Sequence, residues 1–432
     1  MRKKVSFTIK DVVGFKNAML GWAQQFGEVI WMDSNGHKAD YSSFDGILAV
    51  DAHTSITTGS TNSFEELKTY RAVTQDWIFG YLSYDLKNDL ELLTSSNYDG
   101  PGFPDLYFFQ PKKLIAIQGA KVSFHYLDIV DNEIGSDFKS IMEGSAPDFL
   151  QSLPPSDLRI KMRIFKDEYF NRVAKMLDRI HRGDIYEANF CQEFYAENTH
   201  IDPLQVYYKL NAISRSPFSV FLKLRDKYLL SASPERYLKK QGNKIISQPI
   251  KGTAKRSLDK IEDLRLKEAL AKDEKERAEN IMIVDLVRND LSKSALKGSV
   301  KVEELCKVYS FDQVHQMIST VTARVPHHID PVDIIKETFP MGSMTGAPKV
   351  SAMRIIEELE VSKRGLYSGS VGYFTPDGDF DFNVVIRSIL YNQTKKYVSY
   401  SVGSAITAKA SPEKEYEECL LKAKAMREVL EK

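Results

Sequence analysis

The stretch SVFLKLRDKYLLSASPERYLKKQGNKIISQPIKGT, residues 219–253, constrains the fold more than any other. Its β-branched, aromatic and aliphatic runs are cut by turn pairs at Arg225-Asp226 and Gly242-Asn243. Runs this short, broken by turns this tight, read as successive strands folded back on one another. A second hairpin is signalled by Pro376-Asp377-Gly378 within GLYSGSVGYFTPDGDFDFNVVIRSILYN, residues 365–392. IYEANFCQEFYAEN reads as a further strand. WIFGYLSYDLKNDLE, residues 77–91, passes from a strand-like aromatic run to a helix-like polar one. The chain is therefore rich in hairpins, and each strand needs a neighbour.

Helical patterns lie between these strands. DEYFNRVAKMLDRIHRGD, residues 167–184, repeats Phe170, Val173, Leu177 and Ile180 at helical spacing, with Gly183 where a C-terminal cap belongs. Long helices are predicted over 273–293, from Pro348 onward, and over 411–432, the last with Ser411 as N-cap and Pro412 in the first turn. The Pro- and Ser-containing segment 144–157 is the best linker candidate, and it suggests an N-terminal part, 1–150, and a larger C-terminal part, 160–432. A length of 432 residues agrees with two or three domains.

Charge and cysteine usage exclude several classes. Lys+Arg and Asp+Glu are both 59, so no basic excess points to nucleic acid. Cys191, Cys306 and Cys419 are scattered, which fits a reducing cytoplasm rather than a disulfide framework. No run is long and apolar enough to span a membrane, and the N-terminus does not read as a signal peptide.

Three features carry chemistry. The first is Lys251, set before Gly252-Thr253 in what reads as a tight turn after a strand. It serves either solubility or nucleophilic attack. Glu235 ends a strand one hairpin away, so paired strands can bring acid and amine together for covalent catalysis with proton transfer. Arg236 is expected to keep Glu235 ionised, and Lys255 and Arg256 to depress the Lys251 pKa. The second is a double carboxylate pattern: Glu276 and Glu279 on one helix, Glu415 and Glu418 on another, with Lys422 one turn on. Opposed across a cleft, such faces suit Mg²⁺; the alternative is two solvated acidic surfaces. The third is GSMTGAPK, residues 342–349, a small-residue loop before a helix start. It is either an anion site or a plain helix start. His315 reads as a core histidine or a catalytic one. No HExxH or GxSxG occurs.

Eight stretches, GDIYEANFCQ, SASPERYL, PIKGTAKR, ERAENIMIVDLVRNDL, GSMTGAPK, GLYSGSVGYF, FNVVIRS and EYEECLLKAKA, together resemble the chorismate-utilising enzymes, in that family's order. That family includes anthranilate, aminodeoxychorismate, isochorismate and salicylate synthases. The resemblance implies an α+β fold of two intertwined lobes, with large antiparallel sheets in a sandwich and helices outside. It implies chorismate as substrate and Mg²⁺ held by Glu279 and Glu418, supported by Glu276 and Glu415. Arg387 and Tyr373 would contact the enolpyruvyl carboxylate. Lys422, the backbone at Gly403, and Ser343 would add to the anion site, and His315 would sit near the departing hydroxyl. Within the family, PIKGT resembles the aminodeoxychorismate branch, where the lysine adds to the ring, ammonia displaces it, and the acid at Glu235 protonates the leaving hydroxyl. The ammonia would come from a glutamine amidotransferase subunit. Anthranilate synthase component I and a non-catalytic chorismate-binding protein are the alternatives.

Two departures from that pattern stand out. Glu187 occupies a position where the family mostly has Gln, and VGSAIT, residues 402–407, replaces a glycine-rich turn. The side chains of Ser404 and Ala405 are expected to tighten the carboxylate site. No LLES-type motif occurs in the N-terminal half, so a tryptophan site is not expected.

Overall fold

The computed structural model describes residues 1–37, 41, 43–144, 158–312 and 314–431. The linker candidate, apart from Gly144, lies outside the described residues.

The expected hairpins form in full. Strands Phe218–Leu224, Lys227–Ser233, Arg236–Gln241 and Lys244–Gln248 follow one another, with turns where the sequence placed them. They do not stay in one layer. Phe218–Leu224 and Lys227–Ser233 join a first limb of antiparallel sheet. Its order runs Arg2–Thr8, Lys121–Leu127, Leu106–Gln118, Gly46–Thr58, Glu28–Asp33, Phe218–Leu224, Lys227–Ser233, Ser388–Asn392, Tyr397–Thr407, Glu187–Ala196. Arg236–Gln241 and Lys244–Gln248 belong to a second limb. It leaves Leu106–Gln118 through Ile78–Leu82 and continues Ser370–Phe374, Phe380–Asn383, Arg236–Gln241, Lys244–Gln248, Val314–Arg324. The last strand also pairs with Ile250–Lys255 and Lys301–Ser310.

Both limbs mix N- and C-terminal strands, because Glu28–Asp33 pairs with Phe218–Leu224 and Ile78–Leu82 with Ser370–Phe374. The lobes are intertwined through these ladders. One apolar core holds Phe79, Phe108, Leu229, Leu238, Val321 and Phe382, drawn from both limbs, which pack face to face as a sandwich. Another covers the outer face of the first limb with the helices Val12–Ala23, Lys166–His181, Pro203–Ser214 and Pro412–Glu431. The architecture is α+β. No helix among the described residues is long and apolar enough to cross a membrane.

Two local differences matter for the site. Lys251 does not sit at a turn. It lies inside Ile250–Lys255, at a break in register between Ile250 and Thr253, with Gly252 at φ +94°. Glu235 lies in the gap between Lys227–Ser233 and Arg236–Gln241, and the register there is also broken after Arg236. Bulges re-aim side chains away from the regular alternation of a strand.

Candidate active site

Glu235 is brought to Lys251 by the hairpin between them. Arg236 pairs with Gln248, and the Ile250 backbone hydrogen-bonds Glu235, which places the acid beside the residue before Lys251. Glu235 is almost fully buried, and burial pushes its pKa up to about 7, against the pull of a hydrogen bond from Ser343 and of the nearby Lys251 charge. The expectation that Arg236 keeps it ionised does not hold. The guanidinium turns the other way, to Asp381 at 2.9 Å and Gln248 at 2.6 Å.

Lys251 donates from Nζ to Oε1 of Glu187 at 3.2 Å. Burial alone would lower its pKa, but Glu187, Glu279 and Glu418 outweigh burial and hold it above the ordinary lysine range. This reverses the expected depression by Lys255 and Arg256. Arg256 is engaged elsewhere, by Asp263 at 2.9 Å. The strand is tied to the next helix as well: Asn280 Nδ2 donates to the carbonyls of Lys251 at 3.3 Å and Met317 at 3.2 Å. Gly252 lies so close to Glu276 that a Cβ there would stand 3.2 Å from Oε2.

The two acidic pairs do face one another. Glu276 and Glu279 lie on the helix Glu274–Ser292, and Glu415 and Glu418 on Pro412–Glu431. Lys275 Nζ spans them, 3.7 Å from Glu279 Oε1 and 3.7 Å from Glu415 Oε1. Burial is the first cause that raises the carboxyls of Glu276, Glu279 and Glu415, and mutual repulsion adds to it. For Glu418 burial is outweighed by Lys422, Lys251 and Lys275, and its carboxyl falls below the ordinary value. The faces are partly buried rather than freely solvated: Glu415 is buried, and Glu418 keeps 42% of its side chain exposed. Glu279 Oε1 is buried without a hydrogen-bond partner. Among the described residues no group of three acidic, histidine or cysteine side chains closes around one point. The arrangement is an open set of hard oxygen donors, which fits a cation that takes its remaining ligands from elsewhere.

Lys422 Nζ sits 2.5 Å from Glu418 Oε1 and donates to the Gly403 carbonyl at 2.9 Å. A side chain at Gly403 would meet Cys191 Sγ at 2.6 Å. The expectation for Ser404 is corrected: it is fully buried, against Tyr169 at 3.2 Å, and hydrogen-bonds Glu415. Arg387 stands at φ +52°, and burial lowers its pKa, offset by Tyr367 and Glu418.

The sequence profile described as "chorismate binding enzyme" matches residues 27–428. The chain belongs to the chorismate binding enzyme family. Among its relatives, "Aminodeoxychorismate synthase component 1" of Salmonella typhimurium is 43% identical over 251 residues, covering 58% of this chain and 55% of that protein. "Probable aminodeoxychorismate synthase, chloroplastic" of Oryza sativa is 37% identical over 387 residues, 82% of this chain and 43% of that protein. The chain thus spans about half the length of these relatives. In structure, anthranilate synthase component I from Streptococcus pneumoniae aligns with a TM-score of 0.76 and 28% identity, over 90% of this chain and 94% of that one.

The cluster around Lys251 brings together Glu235, Ser343, Arg387, Gly403, Lys422 and all four glutamates. Two expected members lie outside it. His315 is buried with both ring nitrogens engaged, one by Ser310 at 2.9 Å and one by Asp263 at 3.1 Å. Tyr373 hydrogen-bonds Ser43 and packs on Trp77 and Phe79, at 5.5 Å and 5.4 Å between ring centres. The tyrosine beside Arg387 is Tyr367. Three members escaped the sequence reading: Tyr367, Lys275, and Glu187 as partner of Lys251. Lys275 left a signal, one helical turn before Glu279, and Glu187 stood out as a departure from the family's glutamine.

Proposed function

We propose that this chain aminates chorismate, replacing the ring hydroxyl at C4 with an amino group to give 4-amino-4-deoxychorismate for folate precursor synthesis. The observation that carries this reading is the pairing of a buried amine, Lys251, with a buried acid, Glu235, whose pKa rises to about 7. Such an acid holds its proton near neutrality and can give it to a departing hydroxyl. Lys251 is then the nucleophile. It forms a C–N bond to the ring as water leaves, and ammonia displaces it in turn. Glu235 is the acid in the first step, and Ser343 orients it.

Glu279 and Glu418 are the ligands assigned to Mg²⁺, with Glu276 and Glu415 behind them. When bound, Mg²⁺ supplies a Lewis acid and a template for the substrate's ring carboxylate. Arg387 offers a fork-shaped donor for the second carboxylate. Lys422 fixes Glu418 and the Gly403 backbone. A glutamine amidotransferase partner supplies the ammonia.

The purified protein, given chorismate, Mg²⁺ and ammonium, is expected to form aminodeoxychorismate with no pyruvate released, identified by mass and ultraviolet spectrum. Anthranilate with pyruvate would overturn the choice of product and keep the family. No conversion, even with an amidotransferase added, would leave a protein that only binds.

A further inference from the structure

A lysine that attacks carbon first has to lose a proton, because an ammonium has no lone pair. Glu187, in hydrogen-bond contact with the amine at 3.2 Å, favours the ammonium, and Glu279 on Glu274–Ser292, Glu418 on Pro412–Glu431 and Glu235 on the neighbouring hairpin also face it. A base in contact with the amine would supply that step in this chain.

Among the described residues, Glu187 is the side chain that hydrogen-bonds Lys251 Nζ, at 3.2 Å. Its side chain is 2% exposed, so bulk water does not compete for it. Its second oxygen, Oε2, is buried with no hydrogen-bond partner. A carboxylate with a spare, unsolvated oxygen beside the amine is placed to take a proton. Its backbone is held on both sides, by Ala347 and by Thr407. The approach of Gly346 is so close that any side chain there would collide with the Glu187 carbonyl. Glu235 is held by Ser343 and by the Ile250 backbone.

We propose that Glu187 is the catalytic base for Lys251, taking one proton from it before attack and returning that proton once ammonia has displaced it. The inference rests on the nucleophilic role of Lys251. In the first step the ammonium passes a proton to Glu187. The neutral amine bonds to the ring carbon, the C–O bond breaks, and the hydroxyl leaves as water with the Glu235 proton. The enzyme then carries a secondary ammonium adduct, a neutral Glu187 and an ionised Glu235. In the second step ammonia bonds to the same carbon and the Lys251 C–N bond breaks. The product leaves as an ammonium, and the free amine regains its proton from Glu187. Glu235 is reprotonated from solvent, so the net change is chorismate plus ammonium to aminated product plus water.

Glu187→Gln keeps the size and a hydrogen-bond acceptor but cannot take the proton. With Mg²⁺ and chorismate and no ammonia, rapid-quench intact mass spectrometry follows the adduct, chorismate less one water, on Lys251. The wild type is expected to form it, and the variant about 10²–10⁴-fold more slowly, the usual contribution of a positioned base. The KM for chorismate should move less than about threefold, since no substrate contact is removed. Adduct formation in the variant should rise with pH as solvent takes over the deprotonation, and Glu187→Asp should recover part of the rate. A variant as fast as wild type, or faster, would overturn the role, because Glu187 would then only stabilise the resting ammonium. An adduct absent from the wild type itself would remove the Lys251 nucleophile and this inference with it.

Discussion

Two buried ion clusters draw on the same strand, Glu187–Ala196, and they are built differently. In the first, Arg364 clasps Glu360 with two hydrogen bonds of 2.9 Å and 2.6 Å and gives its remaining donors to the carbonyls of Met344 at 2.6 Å and Asn189 at 2.7 Å. Glu360 also accepts from the Cys191 amide at 2.9 Å. Nearby, Lys87 is shared by Asp85, Glu357 and Asn88. The charged groups there are matched: Arg364, Glu360 and Lys87 all have partners, although the neighbouring Tyr84 hydroxyl is buried without one. In the second cluster, around Lys251, one ammonium faces several carboxylates, and oxygens of Glu187 and Glu279 stay buried and unpaired. Native proteins rarely leave such groups unsatisfied, and those that persist mark places where something other than stability is maintained. The satisfied cluster locks the sheet to the loop before Ser370–Phe374. The unsatisfied one is the candidate active site.

If that contrast is right, the largest stability loss belongs to the satisfied cluster. Arg364→Met leaves Glu360 buried and uncompensated, and should cost about 3–5 kcal/mol in urea unfolding. A loss below about 1 kcal/mol would mean the clasp is no structural lock. Glu235 comes next. Its folded pKa of about 7 lies above the ordinary 4.5, so the native state holds that proton more tightly. The stability it contributes is full below about pH 4.5 and is lost as pH rises through about 7. The swing is about 3–3.5 kcal/mol on the scale of 1.36 kcal/mol per unit. Glu235→Gln should erase this slope, and wild-type kcat/KM for chorismate should fall above about pH 7 as the acid is lost. An identical slope in the variant would assign it to other groups. Gly403→Ala is smaller: the new methyl meets Cys191 Sγ at 2.6 Å, and overpacking of this kind costs about 1–3 kcal/mol. Unchanged urea unfolding of that variant would show that the two strands can part freely there.

Much of this was legible in the sequence, and the exceptions have physical reasons. The hairpins were readable because turn chemistry at Arg225-Asp226, Gly242-Asn243 and Pro376-Asp377-Gly378 is local. The helix Lys260–Lys272 was not foreseen, because it buries only Leu270 and so has no apolar stripe. The long helix Glu274–Ser292 was foreseen, and its acidic pair was placed correctly by spacing. Charge states were misjudged wherever a sequence neighbour was taken for a spatial one. Arg236 turns away from Glu235, and Lys255 and Arg256 matter less to Lys251 than Glu187, which is distant in sequence and adjacent in space. Tyr367 and Tyr373 are both aromatic residues near one strand, and only the fold separates the one beside Arg387 from the one packed on Trp77.

The smallest effect separates the two clusters most sharply. The Glu279 carboxyl is raised by burial first and then by Glu187 and Glu276, against the pull of Lys251 and Lys275. A carboxyl whose folded pKa exceeds its unfolded value weakens the fold once it is ionised. Glu279→Gln removes that burden, so at pH 7.5 the variant should be more stable than wild type by about 1 kcal/mol, the scale on which active sites exchange stability for function. The gain should shrink as the pH is lowered through the folded pKa, because the wild-type carboxyl then takes up its own proton. The same variant should lose Mg²⁺-dependent turnover. Urea unfolding at two pH values, with the product assay on the same preparation, measures all three. A variant less stable than wild type at pH 7.5 would make Glu279 a structural partner of Lys275 and Lys251, and the two clusters would be alike after all. Greater stability with turnover lost would show that the charge at Glu279 is kept against the interest of the fold.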